Sequence, residues 1–190
     1  MFKNILAFIG LVCIIAAGML YFSVQNSLKE FDPGAAATYK EMFQKIIETK
    51  DAATATVWRF PVAEGLTPEE VEETMKFVAN EHNIANVGEL PLSQDITAKS
   101  GKPYRFIKIF LFCNSLTAAQ MMDHNDSFSA YLPCRISLVE DLTGKLWLYT
   151  LNMDLMIHGG KPLPPELKAE AENVKRIILD IMKRGAEGDF

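Results

Sequence analysis

The sequence predicts an α+β domain of two layers, a mainly antiparallel sheet beneath two long helices in the order strand, helix, four strands, helix, behind one N-terminal transmembrane helix. Three observations predict it. The block from Tyr104 to Asn152 holds three runs whose side chains alternate between two faces, as strands require. Two stretches, opening at Thr67 and at Pro164, repeat apolar residues at helical spacing behind good start signals. Ile5 to Val24 carries no charge over roughly twenty residues, the length a helix needs to cross a bilayer core.

The chain has 190 residues, 49% of them hydrophobic, and a formal net charge of −5. Beyond the apolar N-terminus roughly 150 residues remain, enough for one domain with a real core. The expected boundaries are 1–26 for a transmembrane signal anchor, 27–52 for a stalk and 53–190 for the folded domain. A mildly acidic chain without a Lys/Arg cluster lacks the basic face that displaces counterions, which excludes nucleic acid as a partner.

A cleaved signal peptide would have a shorter apolar region ending in a small-x-small site, and the residues after Tyr21 and Phe22 supply none. Cys13 follows Leu11 and Val12, without the small residue that precedes an acylated cysteine. The expectation is therefore an uncleaved anchor. Lys3 on one side nearly balances Lys29 and Lys40 on the other; the very short tail then favours tail inside and domain in the periplasm, at the inner membrane.

In the stalk, Asp32, Pro33 and Gly34 break the first helix, and Thr38 with Glu41 reads as the capping box of a second. Tyr39, Met42 or Phe43, and Ile46 or Ile47 give that helix one apolar face, which packs on its own domain, on a second copy or on lipid. A first strand is expected from Thr54 to Val62. Thr67 as N-cap, Pro68 at the first helical position and Glu70 closing a capping box then start a helix whose buried stripe is Val71, Met75, Val78 and His82. His82 falls in the last turn, a structural position favoured by the helix dipole. Asn83 to Ile96 reads as a second strand interrupted by Gly88 and Pro91, and Lys99 to Pro103 as a polar loop.

In the central block, Arg105 to Cys113 is apolar on both faces, which predicts an interior strand covered on both sides. Thr117 to His124 forms a short helical insert. Leu132 to Glu140 and Leu146 to Leu151 make a hairpin around Asp141 to Lys145, with Pro133 able only to open its strand. After a brief helical turn and a Gly-Gly, Pro-rich crossing, the last helix buries Leu167, Ala171, Val174, Ile178 and Ile181 and stops at Gly185.

From about Gly65 to Lys183 the chain resembles the DUF302 family, an uncharacterised bacterial and archaeal domain. The resemblance rests on the strand ending in Cys113 and Asn114, on AYLPC at Ala130 to Cys134 leading into RISLVED, and on the closing helix. It implies a fold of the TATA-binding-protein class and homodimers, and no established reaction.

The candidate ligand-binding or redox residues are Cys113, Asn114, Cys134, Arg135, Asp154 and His158. Cys113 closes one strand and Cys134 opens the next, so an antiparallel pairing brings them to one end of the sheet. They could pack as small hydrophobes, form a disulfide in an oxidising compartment, or act as ligands or redox thiols. Met121, Met122 and His124 in the insert, and Met153, Met156 and His158 after the last strand, add the thioether and imidazole donors that copper(I) or haem iron selects. The metal candidates are thus His158, Cys113, Cys134, Met153, Met156 and His124, expected near one rim. The sequence contains no CxxC, CxxCH or HExxH motif. His158-Gly159-Gly160 lacks a GxSxG partner, which removes a hydrolase, and Gly159-Gly160-Lys161 lacks the earlier glycine of a phosphate loop. Asp154 and His158, four apart, could form an acid/base pair.

The expected function is a membrane-tethered ligand-binding or accessory module, more a binding protein than an enzyme, whose partners are the membrane and a second copy or a membrane protein. The alternatives are a haem or copper protein using His158 with Cys113, Cys134 or a methionine, and a thiol redox protein using Cys113 and Cys134.

Overall fold

Five strands form one antiparallel sheet in the order β1-β5-β4-β3-β2, from β1 (Val57–Pro61), β2 (Ala85–Leu90), β3 (Ile107–Cys113), β4 (Cys134–Glu140) and β5 (Leu146–Leu151). The structure is a computed structural model that describes residues 2–190. The β4–β5 hairpin forms at the predicted place, with Ser137 opposite Tyr149 and Glu140 opposite Leu146. Asp141 organises its turn by accepting from the backbone of Thr143 and Lys145 and from the Trp147 indole.

Eight helices accompany the sheet among the described residues: α1 (Phe2–Leu28), α2 (Ala35–Thr49), α3 (Ala52–Ala55), α4 (Pro68–Glu81), α5 (Leu92–Ser100), α6 (Ser115–His124), α7 (Asp154–His158) and α8 (Pro165–Glu187). A 3-10 turn, Asp126–Ala130, links α6 to β4. The long helices α4 and α8 pack on each other and on one face of the sheet. The core therefore lies between Phe110, Phe112, Ile136, Leu138 and Leu148 below and Val71, Met75, Val78, Ile178, Ile181 and Met182 above, all without exposure to solvent. Burying each such side chain stabilises the domain by about 1.5–3 kcal/mol relative to leaving it in water. α4 starts as predicted, the Thr67 hydroxyl receiving the Glu70 amide while the Glu70 carboxylate receives the Thr67 amide.

Several expectations fail for local reasons. β3 is interior but covered on one side only: its alternate residues Ile107, Ile109, Leu111 and Cys113 stay partly exposed, because both long helices belong to one layer. Thr54 and Ala55 belong to α3, which Asp51 caps through the amides of Ala53 and Thr54, so β1 starts later than the apolar run implies. The Thr38–Glu41 capping box does not form. α2 already begins at Ala35, and the Thr38 hydroxyl instead donates to the Gly34 carbonyl within the helix. The stretch after β2 coils into α5, which periodicity missed because it buries no residue. Gly185 does not stop α8. Its missing side chain lets α4 approach, since a Cβ there would lie 2.5 Å from Met75 Cγ, and the helix ends at Gly188, whose φ of 70° suits glycine.

α1 contains one segment, Phe8–Leu28, long and apolar enough to cross a membrane, with none of it buried against the domain.

Candidate functional site

Three places gather the chemistry-bearing side chains. The first lies at the end of the sheet where β3 closes and β4 opens. Because Phe112 pairs with Cys134, Cys113 sits one position from its fellow cysteine, and both thiols line a small cavity with Met121, Met153 and Met156, floored by Phe112, Ala118 and Val174. The cysteines are not joined in a disulfide. Burial pushes the Cys134 thiol up to about 11, with the Cys113 sulfur reinforcing the shift, and burial raises Cys113 as well against a hydrogen bond from Ser115. The cavity has room for about 20 Å³, the space of one water or one ion. A haem macrocycle does not fit there.

His158 lies outside that cavity, in a network that ties the stalk to the domain. Its Nδ1 is 2.9 Å from Asp32 Oδ1 and its Nε2 is 2.9 Å from Glu172 Oε1, with Asp154 Oδ1 at 4.0 Å. Each ring nitrogen thus already has a carboxylate oxygen as its partner, and neither points to the sulfur-lined cavity. Asp32 is the centre of this network and only 3% exposed. It accepts from the Gly34 amide at 2.8 Å, from His158 and from the Lys168 ammonium, while its own amide donates to the Gly160 carbonyl at 2.8 Å. Burial pushes its carboxyl up, but the hydrogen bonds from Lys168, Gly34 and His158 outweigh that and hold it at about 2. Tyr39 adds a hydrogen bond to the Gly159 carbonyl at 2.6 Å. Gly34 is needed here because a Cβ would lie 3.0 Å from the His158 ring.

From Glu172 the network continues through Lys175, which reaches Glu172 at 2.5 Å and Asp154 at 2.9 Å. Asp154 and Lys175 also line the third place, a cleft of about 570 Å³ bounded by Lys45 and Thr49 of α2, Thr54 of α3, Val57 to Phe60 of β1, and Leu179 of α8. That volume is in the range of ligand sites. β1 is the outer strand here, and its hydrogen bonds show which groups face the cleft. Asn152 donates to the Thr56 carbonyl and Val62 to the Leu146 carbonyl, so the even-numbered residues bond β5 and the main-chain groups of Val57 and Arg59 point away from it. Among the described residues these groups have no hydrogen-bond partner.

The remaining predicted residues are separate. Asn114 caps α6, accepting from the amides of Leu116 and Thr117. Arg135 lies beside Cys134 in β4, and its carbonyl accepts from the Thr150 hydroxyl at 2.7 Å. His124 lines a different cleft, of about 400 Å³, with Phe128, Tyr131 and Met156. His82 holds Asp180 of α8 at 2.7 Å, in keeping with its structural reading. No group of three or more His, Cys, Asp or Glu able to hold a metal occurs among the described residues. Sequence reasoning missed Asp32, Lys175 and the free edge of β1. Asp32 read only as a turn residue, and its partners are more than a hundred positions away.

Residues 58–185 match the family described as domain of unknown function DUF302. The chain is similar in structure to the uncharacterized conserved protein DUF302 from Bacillus stearothermophilus, with a TM-score of 0.54 and 16% identity over 68% of this chain and 97% of that one. At that identity the likeness is one of fold. No curated protein matches the chain.

Proposed function

The chain belongs to the DUF302 family, whose description carries no activity, and from that premise we propose that it is a membrane-tethered interaction module that captures an extended segment of a partner polypeptide along the free edge of β1. The observation that carries this reading is the pair of unsatisfied residues Val57 and Arg59 at the wall of a ligand-sized cleft. An added strand would meet those amides and carbonyls, and main-chain pairing of this kind supplies affinity while flanking pockets select side chains. The cleft lining is mostly apolar, through Val57, Trp58, Phe60 and Leu179, so the captured segment carries apolar side chains.

The tether is the apolar span Phe8–Leu28, with the short tail inside and the domain in the periplasm. The Asp32 network fixes the domain to the stalk, so the cleft keeps one attitude to the membrane and presents itself to a membrane-protein partner.

The test is selection of peptides from a displayed random library by the full-length protein in detergent. Arg59→Pro removes an outward-facing amide, as an edge strand tolerates, together with the guanidinium that lies over the Trp147 ring. We expect apolar, strand-forming peptides on the wild-type protein, their loss on Arg59→Pro and their retention on Val87→Pro at the opposite edge. An identical peptide set on wild type and Arg59→Pro would overturn the proposal.

A further inference from the structure

The sulfur-lined cavity is used by neither the stalk network nor the cleft. We propose that it is a copper(I) site, with Cys113 and Cys134 as thiolate ligands and the thioethers of Met121, Met153 and Met156 as the neutral donors. This inference is independent of the interaction reading.

The donor set argues for it first. Five residues lining one cavity carry sulfur, and they come from four separate segments: β3, α6, the start of β4, and the stretch from the end of β5 into α7. Thiolate and thioether donors select copper(I), whereas zinc favours thiolate with imidazole or carboxylate and makes little use of thioether. The nearest imidazoles are committed or absent: His158 is held by carboxylates on both sides, and His124 lies in the neighbouring cleft.

Size argues for it next. Space for about 20 Å³ admits one bare ion and excludes an organic cofactor. Each ligating thiol releases its proton to solvent, and copper enters and stays as Cu(I), so the step needs no oxidant or reductant. Met156 lines both this cavity and the roomier His124 cleft.

The test uses the full-length protein in detergent, fully reduced, with Cys13→Ser to remove the exposed thiol on α1. Copper(I) is supplied as its bicinchoninate complex, and loss of that complex's absorbance reports transfer. We expect one equivalent withdrawn per chain, protection of Cys113 and Cys134 from alkylation, and an all-sulfur shell in copper X-ray absorption. The pair Cys113→Ser with Cys134→Ser should weaken transfer on the order of 100-fold, and Met121→Leu with Met153→Leu about tenfold. The leucine pair conserves volume, so its fold should persist even where the serine pair's does not. Undiminished transfer in either pair, nitrogen in the copper shell, or displacement of copper by zinc(II) would overturn the assignment.

Discussion

The two edges of the sheet are built to opposite plans. At β2 the register shifts between Asn86 and Gly88, the Asn86 side chain occupies the Gly88 amide, and Pro91 ends the strand. Glu89 at this edge binds Lys76 and Lys108, and Glu72 joins the same two lysines. A bulge, a self-satisfied donor, a proline and clustered charge are the devices that keep an edge from pairing with another chain. β1 has a regular register across all five of its pairs, and the groups of Val57 and Arg59 lie open in a cleft. Its protection is external: α2 stands across the cleft through Lys45 and Thr49, and the Asp32 network lies at the start of that helix. The contrast is between an edge guarded along its length and one left open at Val57 and Arg59, with Pro61 closing only its end; in the proposed function that open stretch is where the partner segment pairs.

The largest expected effect comes from removing that external protection. Asp32→Ala takes a buried carboxylate away from Lys168 and His158 and should cost about 3 kcal/mol, the scale for breaking a buried pair. Thermal unfolding in detergent measures the cost, and hydrogen exchange locates it. Amides of α2 and β1 should exchange faster while those of β2 stay protected. Unchanged exchange in α2 would mean that the wall does not hang on Asp32.

Acid should reach both edges in one window but separate them by variant. Asp32 has an ordinary value of 3.8 and is held at about 2 in the fold, so it contributes about 2 kcal/mol that is full above pH 4 and is lost as the pH falls towards 2. Glu89 is likewise held at about 2: burial raises it, but the hydrogen bonds from Lys108, Lys76 and Asn86 pull it down further. Its stabilisation is also present at neutral pH and lost on acidification, though water around a half-buried group screens it. Asp32→Asn should flatten the stability profile between pH 4 and 2 and loosen the β1 side; Glu89→Gln should flatten the same region and loosen only β2. A profile equally steep in both variants would place the acid sensitivity elsewhere.

The core between these edges sets the next effect. Gly185→Ala puts a Cβ into Met75, and overpacking of this kind costs about 1–3 kcal/mol by pushing α4 off α8. Melting temperature should fall without selective loss at either edge. A neutral result would show that Met75 can turn away at no cost.

Legibility in the sequence followed the range of the interactions. Most strand and helix periods, the Thr67 cap and the β4–β5 hairpin depend on neighbours within a few positions and were readable; α5, which buries no residue, was not. So was the approach of Cys113 to Cys134, because antiparallel pairing of adjacent strands fixes it. What was hidden depends on distant segments. His158 looks like a metal ligand until Asp32 and Glu172 are seen on its two nitrogens. Ile107, Ile109 and Leu111 look like a second buried face, since apolar alternation cannot reveal whether another layer exists to cover it. The free edge at Val57 and Arg59 is a property of strand order, which a single run of residues does not encode.

The smallest effect gives the finest test of the two-edge contrast. Asn86→Ala should cost about 1 kcal/mol, the net value of an ordinary hydrogen bond, because the Gly88 amide loses its acceptor and Glu89 loses one donor. The consequence for pairing matters more than the stability. With the Gly88 amide free, the bulged edge acquires an unsatisfied donor, yet the lysine and glutamate cluster and Pro91 remain. Light scattering on the variant should therefore show little self-association, and peptides selected on the wild-type protein should still bind through β1. Strong self-association of Asn86→Ala would show that one side chain had been guarding the edge, and the charges and the proline would then have to be read as incidental to it.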